Sequence, residues 1–427
     1  MASPSDDELR DALIELKAAH PTLGIPKLHA RLRTDFPAWT VSEKRMRRIL
    51  ATFAPPKDTG TVPPYPSSQL VEGLDITQWT PRVDVRFFDK KKGKGLVAKE
   101  KITTGETIWV EDPFVIAPEW EIYDKQRDGQ ACSQCTTLFA HPSDARARCA
   151  HCPAAFCNTL CRKRADKTHP LLCSGQNPPS IALLRWMRSK EWLALHALTQ
   201  CTARLLLANA AGEAALTADW HVVRSFAALG MEERARYSFR SGTCHPAPDR
   251  ETWKTAFDMF CHTFHRPRHE EGANTKLTGE EKRIATVLRK PLPAEIEKAL
   301  FDYETGFLRG LGRMSLNLEA HGGLYTLHSH LNHTCEPNVS VRHLDQRRAL
   351  ARITVKALVN IEPGQELLIT YVNPAAGYGE RRPALEAWGF ICQCPRCVEE
   401  GRDWKPPEEP EGLGDLASEL KAGLGLM

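Results

Sequence analysis

Two runs decide the fold of this chain: Asn332-His333-Thr334-Cys335-Glu336-Pro337-Asn338 and Glu366-Leu367-Leu368-Ile369-Thr370-Tyr371. The second lies in a β-like stretch, Leu367 to Val372, that carries a tyrosine near its end. Behind it, Cys392, Cys394 and Cys397 follow one another as CxCxxC. Three thiolates are one short of the four that close a tetrahedral zinc shell, so a fourth must come from elsewhere. Cys335, inside the first run, is the candidate.

The chain has 427 residues, 14 of them cysteine, with 42% hydrophobic and 26% charged residues and a formal net charge of +4. That balance excludes a collagen-like or wholly disordered chain, and so small a charge gives no general affinity for polyanions. Met1 to Arg10 is acidic where a secretory leader needs a basic flank and an apolar run. The best membrane-span candidate, Leu205 to Trp220, is broken by Glu213 and Asp219. A soluble, intracellular chain with no membrane partner is expected. In a reducing compartment, clustered cysteines serve as metal ligands more readily than as disulfides. Cys132, Cys135, Cys149, Cys152, Cys157, Cys161, His169 and Cys173 supply eight such ligands, enough for two closed, structural zinc sites. Few large apolar residues lie between them, so metal must supply much of that segment's folding free energy.

Toward the N-terminus, three apolar stripes predict three short helices: Leu9, Leu13, Leu16 and Ala19; Leu28 and Leu32; and Met46, Ile49 and Leu50 behind an N-cap at Ser42. With its basic last helix, Lys44 to Arg48, the module of residues 1–52 resembles the helix-turn-helix units of transposase-type proteins, which implies weak DNA contact; a plain packing module is the alternative. Pro55, Pro56, Pro63, Pro64 and Pro66 mark a linker over 53–80. A β fold then opens with Val83 to Phe88 and Ile108 to Val110, with turn signals at Gly93, Gly95 and Gly105. It resumes near Gly323 with Val339 to Val341 and Leu350 to Val355. The residues between, from about Ser180 to Met314, read as helical, with Trp186, Leu193, Leu195, Leu198, Leu205 and Leu206 as a buried face. Arg266 to Lys282 reads as an exposed loop, Pro406 to Met427 as a loose tail, and Cys201, Cys244 and Cys261 as core thiols. The fold class is α+β.

Taken in order, Gly93-Lys94-Gly95-Leu96, the Asn332 run, the Glu366 run and the CxCxxC resemble the GxGL turn, the NHSCxPN and ELxxxY motifs and the post-SET cysteines of SET-domain lysine methyltransferases. The cysteine-rich segment resembles the MYND zinc finger, and a finger inserted between the first two motifs is the arrangement of the SET-and-MYND (SMYD) family. With its helical N-terminal module, the chain is similar to the divergent branch that includes the fungal fifth SET protein. Thr334 replaces the usual serine and keeps its hydroxyl.

The resemblance implies a β-rich SET fold split by two insertions: SET N-terminal part 81–131, MYND finger 132–173, helical insertion 174–320, SET C-terminal part 321–372, post-SET zinc region 373–402 and tail 403–427. It implies interleaved ligand sets, Cys132 and Cys135 with Cys157 and Cys161, and Cys149 and Cys152 with His169 and Cys173, making three structural zincs with the Cys335 set. S-adenosyl-L-methionine is the implied cofactor, bound by Lys94, Gly95, Leu96, Asn317, Asn332, His333, Tyr371 and Phe390, with Tyr371 also catalytic. Plainer readings exist: a hairpin turn for 94–96, a turn cap for Asn332 and His333, a helix polar residue for Asn317, and core for Tyr371 and Phe390. The implied activity is methylation of histone lysines, the H4 tail foremost, by a nuclear monomer whose finger takes proline-containing peptides. A catalytically weak adaptor, a methyltransferase of non-histone proteins and a cytoplasmic pool are the alternatives.

Overall fold

Helical leucine spacing builds the first of two units into which the chain divides, Met1–Pro63 and Pro64–Met427. The computed structural model describes residues 3–19, 25–46, 49, 65–240, 249–265, 278–343, 349–402 and 404. Helix α1 (Asp6–Ala19) buries Leu9, Leu13 and Leu16 in one core with Leu28 and Leu32 of α2 (Ile25–Asp35), and Met46 and Ile49 complete it. The Ser42 hydroxyl accepts the Arg45 amide at 3.1 Å, which is the expected N-cap. Arg45 spends its guanidinium on Asp6 at 2.6 Å and on the Pro4 carbonyl at 2.7 Å. The Ala19 side chain, Arg47, Arg48, Leu50 and the linker prolines before Tyr65 lie outside the described residues.

In the second unit, β1 (Val83–Asp89) and β2 (Gly93–Ala98) form an antiparallel hairpin with Arg86 opposite Gly95 and Phe87 opposite Lys94. The sequence pattern places a turn at Gly93 to Gly95, and the structure corrects this. The turn is Asp89 to Lys92, where the Asp89 carboxylate accepts the Lys91 and Lys92 amides, each at 2.7 Å. Gly95 lies within a strand whose six residues are all buried and answers to crowding, whereas Gly93, at φ 71°, is where the turn hands the chain to that strand. Strands β3 (Thr107–Glu111), β4 (Val115–Ile116), β5 (Ala147–Arg148), β6 (Ala155–Phe156) and β7 (Gly323–Leu324) follow. The last are β8 (Asn332–His333), β9 (Val339–Arg342), β10 (Ile353–Ala357) and β11 (Leu368–Ile369).

Strand pairing joins distant chain. The three-stranded order β3-β10-β9 and the antiparallel pair β4-β7 clamp residues 107–116 against residues 323–357, while β8 and β11 run parallel, Asn332 beside Leu368 and His333 beside Ile369. Val83, Leu96, Trp109, Leu327, Ile353 and Leu367 pack into one core beneath them. The strand expected from Leu350 starts at Ile353, because Ala349, at φ 58°, first makes a turn closed by the Arg352 amide.

Helices occupy most of Ser180 to Phe301, and α3 (Leu193–Ala211) is their hub, with Leu195, Leu198, Leu205 and Leu206 buried. Trp186 and Leu193 sit half-buried at the edge of that core, not within it. Cys201 is buried and Cys261 half-buried, while Cys244 and the tail from Lys405 lie outside the described residues. So do residues 266–277 of the expected loop; its end is a correction, because a Thr278/Glu281 capping box starts a helix at Gly279. A π-helical turn, Tyr303–Leu308, leads into α4 (Arg309–Asn317), and α5 (Tyr378–Glu386) and α6 (Pro395–Arg402) carry the last cysteines into place. Among the described residues no helix is long and apolar enough to cross a membrane.

Candidate active site and metal centres

Strands β2 and β8, the segment after β11 and the end of α4 meet around one cavity. It is lined by Lys91, Lys92, Lys94, Asn317, Ser329, Asn332, Tyr371, Trp388 and Phe390, with Pro66 and Ser68 closing one side. Of the expected site residues, Lys94, Asn317, Asn332, Tyr371 and Phe390 line it directly. His333 stands behind, its ring 5.3 Å from that of Tyr371 and 5.7 Å from that of Phe390. Leu96 turns its side chain into the core, leaving only backbone toward this region.

Each group is held by named bonds. The Asn332 side-chain amide donates to the Lys94 carbonyl and to the Glu366 carboxylate, both at 2.9 Å, and Glu366 is itself ion-paired with Lys92. Gly95 makes this crossing feasible: a Cβ there would stand 2.4 Å from Phe88, 2.9 Å from Glu366 and 3.0 Å from Asn332. The Tyr371 hydroxyl donates to the Leu331 carbonyl at 2.6 Å, and its amide donates to Nδ1 of His333 at 3.0 Å. Burial pushes the Tyr371 hydroxyl well above the usual phenol range. Burial, with the Arg381 guanidinium adding, pushes His333 down to about 4, so the ring is neutral and free to accept at Nδ1.

Lys94 is only 3% exposed. Its ammonium donates to the Ser329 hydroxyl at 2.9 Å, and burial pushes it down to about 7 against the opposing pull of Glu111. Asn317 spends its amide on the Ala227 and Arg313 carbonyls at 2.8 and 2.7 Å and accepts the Ala227 amide, so it braces the cavity wall.

Sequence reasoning missed several participants. Asn338 clasps the Glu366 run from both sides, donating to the Glu366 carbonyl and accepting the Leu368 amide, each at 2.7 Å. Its place at the end of the Asn332 run was the available signal. Trp388, 4.7 Å from the Tyr371 ring, and Ser68 carried no motif at all.

The thiols gather in three groups: Cys132, Cys135, Cys157 and Cys161; Cys149, Cys152, His169 and Cys173; Cys335, Cys392, Cys394 and Cys397. Within each, the ligand atoms all lie within 4.8 Å of one another. Sulfurs about 2.3 Å from a tetrahedral zinc stand about 3.8 Å apart. Cys149 and Cys173 are 3.8 Å apart, Cys157 and Cys161 4.0 Å, Cys335 and Cys397 3.3 Å, and Cys152 is 3.5 Å from the imidazole of His169. The donor sets therefore fit zinc in number, softness and spacing. Phe156, fully buried, and Phe139, half-buried, are the large aromatics in the small core around the first two groups, which is otherwise alanine and cysteine. Next to the third group the side chain of Arg381 is completely enclosed, pairing with Glu400 at 2.7 Å and lying 3.9 Å from the Cys397 sulfur. His328 and His330 are buried, and His269 lies outside the described residues.

Residues 93–372 match the SET domain family, and the chain belongs to it. Full-length similarity narrows the comparison to fungal proteins called histone-lysine N-methyltransferase SET5. That of Yarrowia lipolytica is 28% identical over 97% of this chain and 86% of its own length. That of Mycosarcoma maydis is 32% identical over 73% of this chain and 66% of its own, and that of Scheffersomyces stipitis 29% identical over 93% and 81%.

Proposed function

We propose that this chain is a protein-lysine N-methyltransferase that draws on S-adenosyl-L-methionine and acts on histone lysines in nuclear chromatin. The observation that carries the reading is the convergence of Asn332, Tyr371, Phe390 and the Lys94 backbone on one cavity within a SET fold. The relatives' shared name supports the histone class. The cavity suits the cofactor chemically: lysines 91 and 92 for a carboxylate, the Asn332 amide for polar recognition, and aromatic faces of Trp388, Phe390 and Tyr371 for a cationic sulfonium. Gly95, where no Cβ fits, lets backbone approach closely.

When bound, S-adenosyl-L-methionine supplies an already activated methyl group, so the protein's work is alignment and control of one proton. A substrate lysine carries its proton at an ordinary pKa of about 10.4 and must lose it before its nitrogen can attack. Exclusion of water, and the like charge that a bound sulfonium would place beside it, disfavour the charged ammonium. Tyr371, its hydroxyl fixed on the Leu331 carbonyl and its ring wedged between His333 and Trp388, orients the amine. Asn332, Gly95 and Lys94 hold the cofactor side, and Asn317 supports its wall.

The three ligand groups hold structural zinc, two in a MYND-type finger that presents a peptide-binding surface and one after the SET core. All four positions in each shell are filled by protein, which leaves none for substrate. Incubating the full chain with labelled cofactor and histones, beside Tyr371→Phe, tests the proposal. Transfer to histone by wild type alone supports it. No transfer to any histone overturns the histone assignment, and no transfer to any protein in an extract overturns the enzymatic one.

A further inference from the structure

A second cavity, of about 340 Å³, lies on the other side of Ser68 from the first. Three arginines face it: Arg224, Arg309 and Arg313. Arg309 and Arg313 stand one turn apart on α4, a spacing at which like charges repel. Glu295 is the acidic residue in the lining, and Arg224 reaches its carboxylate only at 3.9 Å and that of Glu72 at 3.8 Å. Both carboxylates are mostly exposed, so those pairings are screened and weak. Arg309 donates to the Ser67 hydroxyl at 2.6 Å, a neutral partner. Among the described residues no carboxylate pairs with Arg313, whose Nε is sealed from solvent without an acceptor. Burial, then Arg309, pushes the Arg313 guanidinium down to about 10.

The wall opposite is shaped for occupancy. The π-helical turn Tyr303–Leu308 places Thr305 and Gly306 at the cavity, and Gly306 approaches the Lys298 carbonyl so closely that a Cβ would stand 2.3 Å from it. Such turns interrupt a helix at a cost and recur at functional sites. Trp220 and Ala299 add an apolar face. Two planar guanidinium forks stand on one helical face, and one of them, that of Arg313, keeps a buried Nε donor without an acceptor. Tetrahedral dianions satisfy such forks with two or more charge-assisted bonds.

We propose that this cavity is a binding site for a small molecule bearing a phosphate or pyrophosphate group, separate from the cavity of Asn332 and Tyr371. The proposal does not rest on methyl transfer, and its readout is binding. Titrate the full chain calorimetrically with inorganic pyrophosphate and with phosphate, at ionic strength matched with sodium chloride. The expected result is saturable one-site binding that weakens at least tenfold in Arg313→Gln and in Arg309→Gln. If Arg313→Gln loses its cooperative melt, Arg309→Gln and Arg224→Gln, nearer the mouth, decide the matter. No saturable binding overturns the proposal, as does equal binding by wild type and variants, which would place the anion on surface lysines. One-for-one displacement of pyrophosphate by S-adenosyl-L-methionine also overturns it, because the space would then belong to the first cavity.

Discussion

Gly95→Ala isolates the crossing on which the cofactor side of the site depends. Gly95 is not among the residues with positive φ, so alanine is acceptable to the backbone and the effect is steric. The added Cβ meets Phe88 at 2.4 Å, but that ring is 38% exposed and swings aside cheaply. The contacts at 2.9 Å with Glu366 and 3.0 Å with Asn332 are different, because those two groups hold each other and the Lys94 carbonyl. A neutral hydrogen bond is worth about 1 kcal/mol and one to a carboxylate about 1.5–3 kcal/mol, so displacing Asn332 costs roughly 2–3 kcal/mol after partial rescue by water. With 1.4 kcal/mol per decade, cofactor affinity falls on the order of 30- to 140-fold. Calorimetric titration with S-adenosyl-L-methionine measures it, and Gly105→Ala is the control. Gly105 has φ +84° with open space around a Cβ, so that variant pays about 1 kcal/mol of backbone strain and leaves cofactor binding unchanged. Wild-type affinity in Gly95→Ala, or an equal loss in Gly105→Ala, refutes the reasoning.

Tyr371→Phe removes one hydrogen bond to the Leu331 carbonyl, so stability drops by about 0.5–1.5 kcal/mol while methyl transfer by the folded variant falls on the order of 10²-fold through misplacement of the amine; near-wild-type turnover by the folded variant contradicts the assigned role. The Lys94 ammonium titrates near 7 when folded and near 10.5 when unfolded. The unfolded chain therefore binds the extra proton across that window, and stability rises with pH from about 7 upward. Relative to Lys94→Met, the wild-type melting temperature should climb between pH 7 and 9; parallel curves exclude the buried lysine as the cause. Arg381→Met should lower the zinc content found by metal analysis of the purified protein, because it leaves the Cys335 thiolate group without its enclosed cation. Unchanged zinc content argues that Arg381 serves Glu400 alone.

Cysteine spacing was the most legible part of this molecule. A tetrahedral shell fixes few distances, and short loops such as CxxC and CxCxxC satisfy them locally, so all twelve ligands meet in the groups expected. The Glu366 run was readable as a strand, but its pairing with Asn332 and His333, and the Asn338 clasp that fixes it, were not. Glycine misled at Gly95, where propensity says turn and crowding by Phe88, Asn332 and Glu366 says strand. The helix start at Gly279 was written in Thr278 and Glu281 and went unread. Lys94 shows the limit most clearly, because nothing in its neighbours reveals that the chain buries it. Arg224, Arg309 and Arg313 likewise converge only through the packing of helices far apart in sequence.

The pairing of β8 with β11, and of Cys335 with Cys392 to Cys397, sets a timetable for synthesis. The ribosome makes Lys94 about 300 residues before Phe390, roughly 15–60 s earlier at ordinary elongation rates. Throughout that interval the nascent hairpin β1-β2 has no partner for the edge that later receives Glu366 and Leu367. The first two ligand groups are complete once Cys173 emerges, while the pocket is still unmade. A stop codon shortly before Cys392 would thus yield a polypeptide with two of its three cysteine groups complete, most of its mass and a lone Cys335, and quality control would meet it as a nearly finished product.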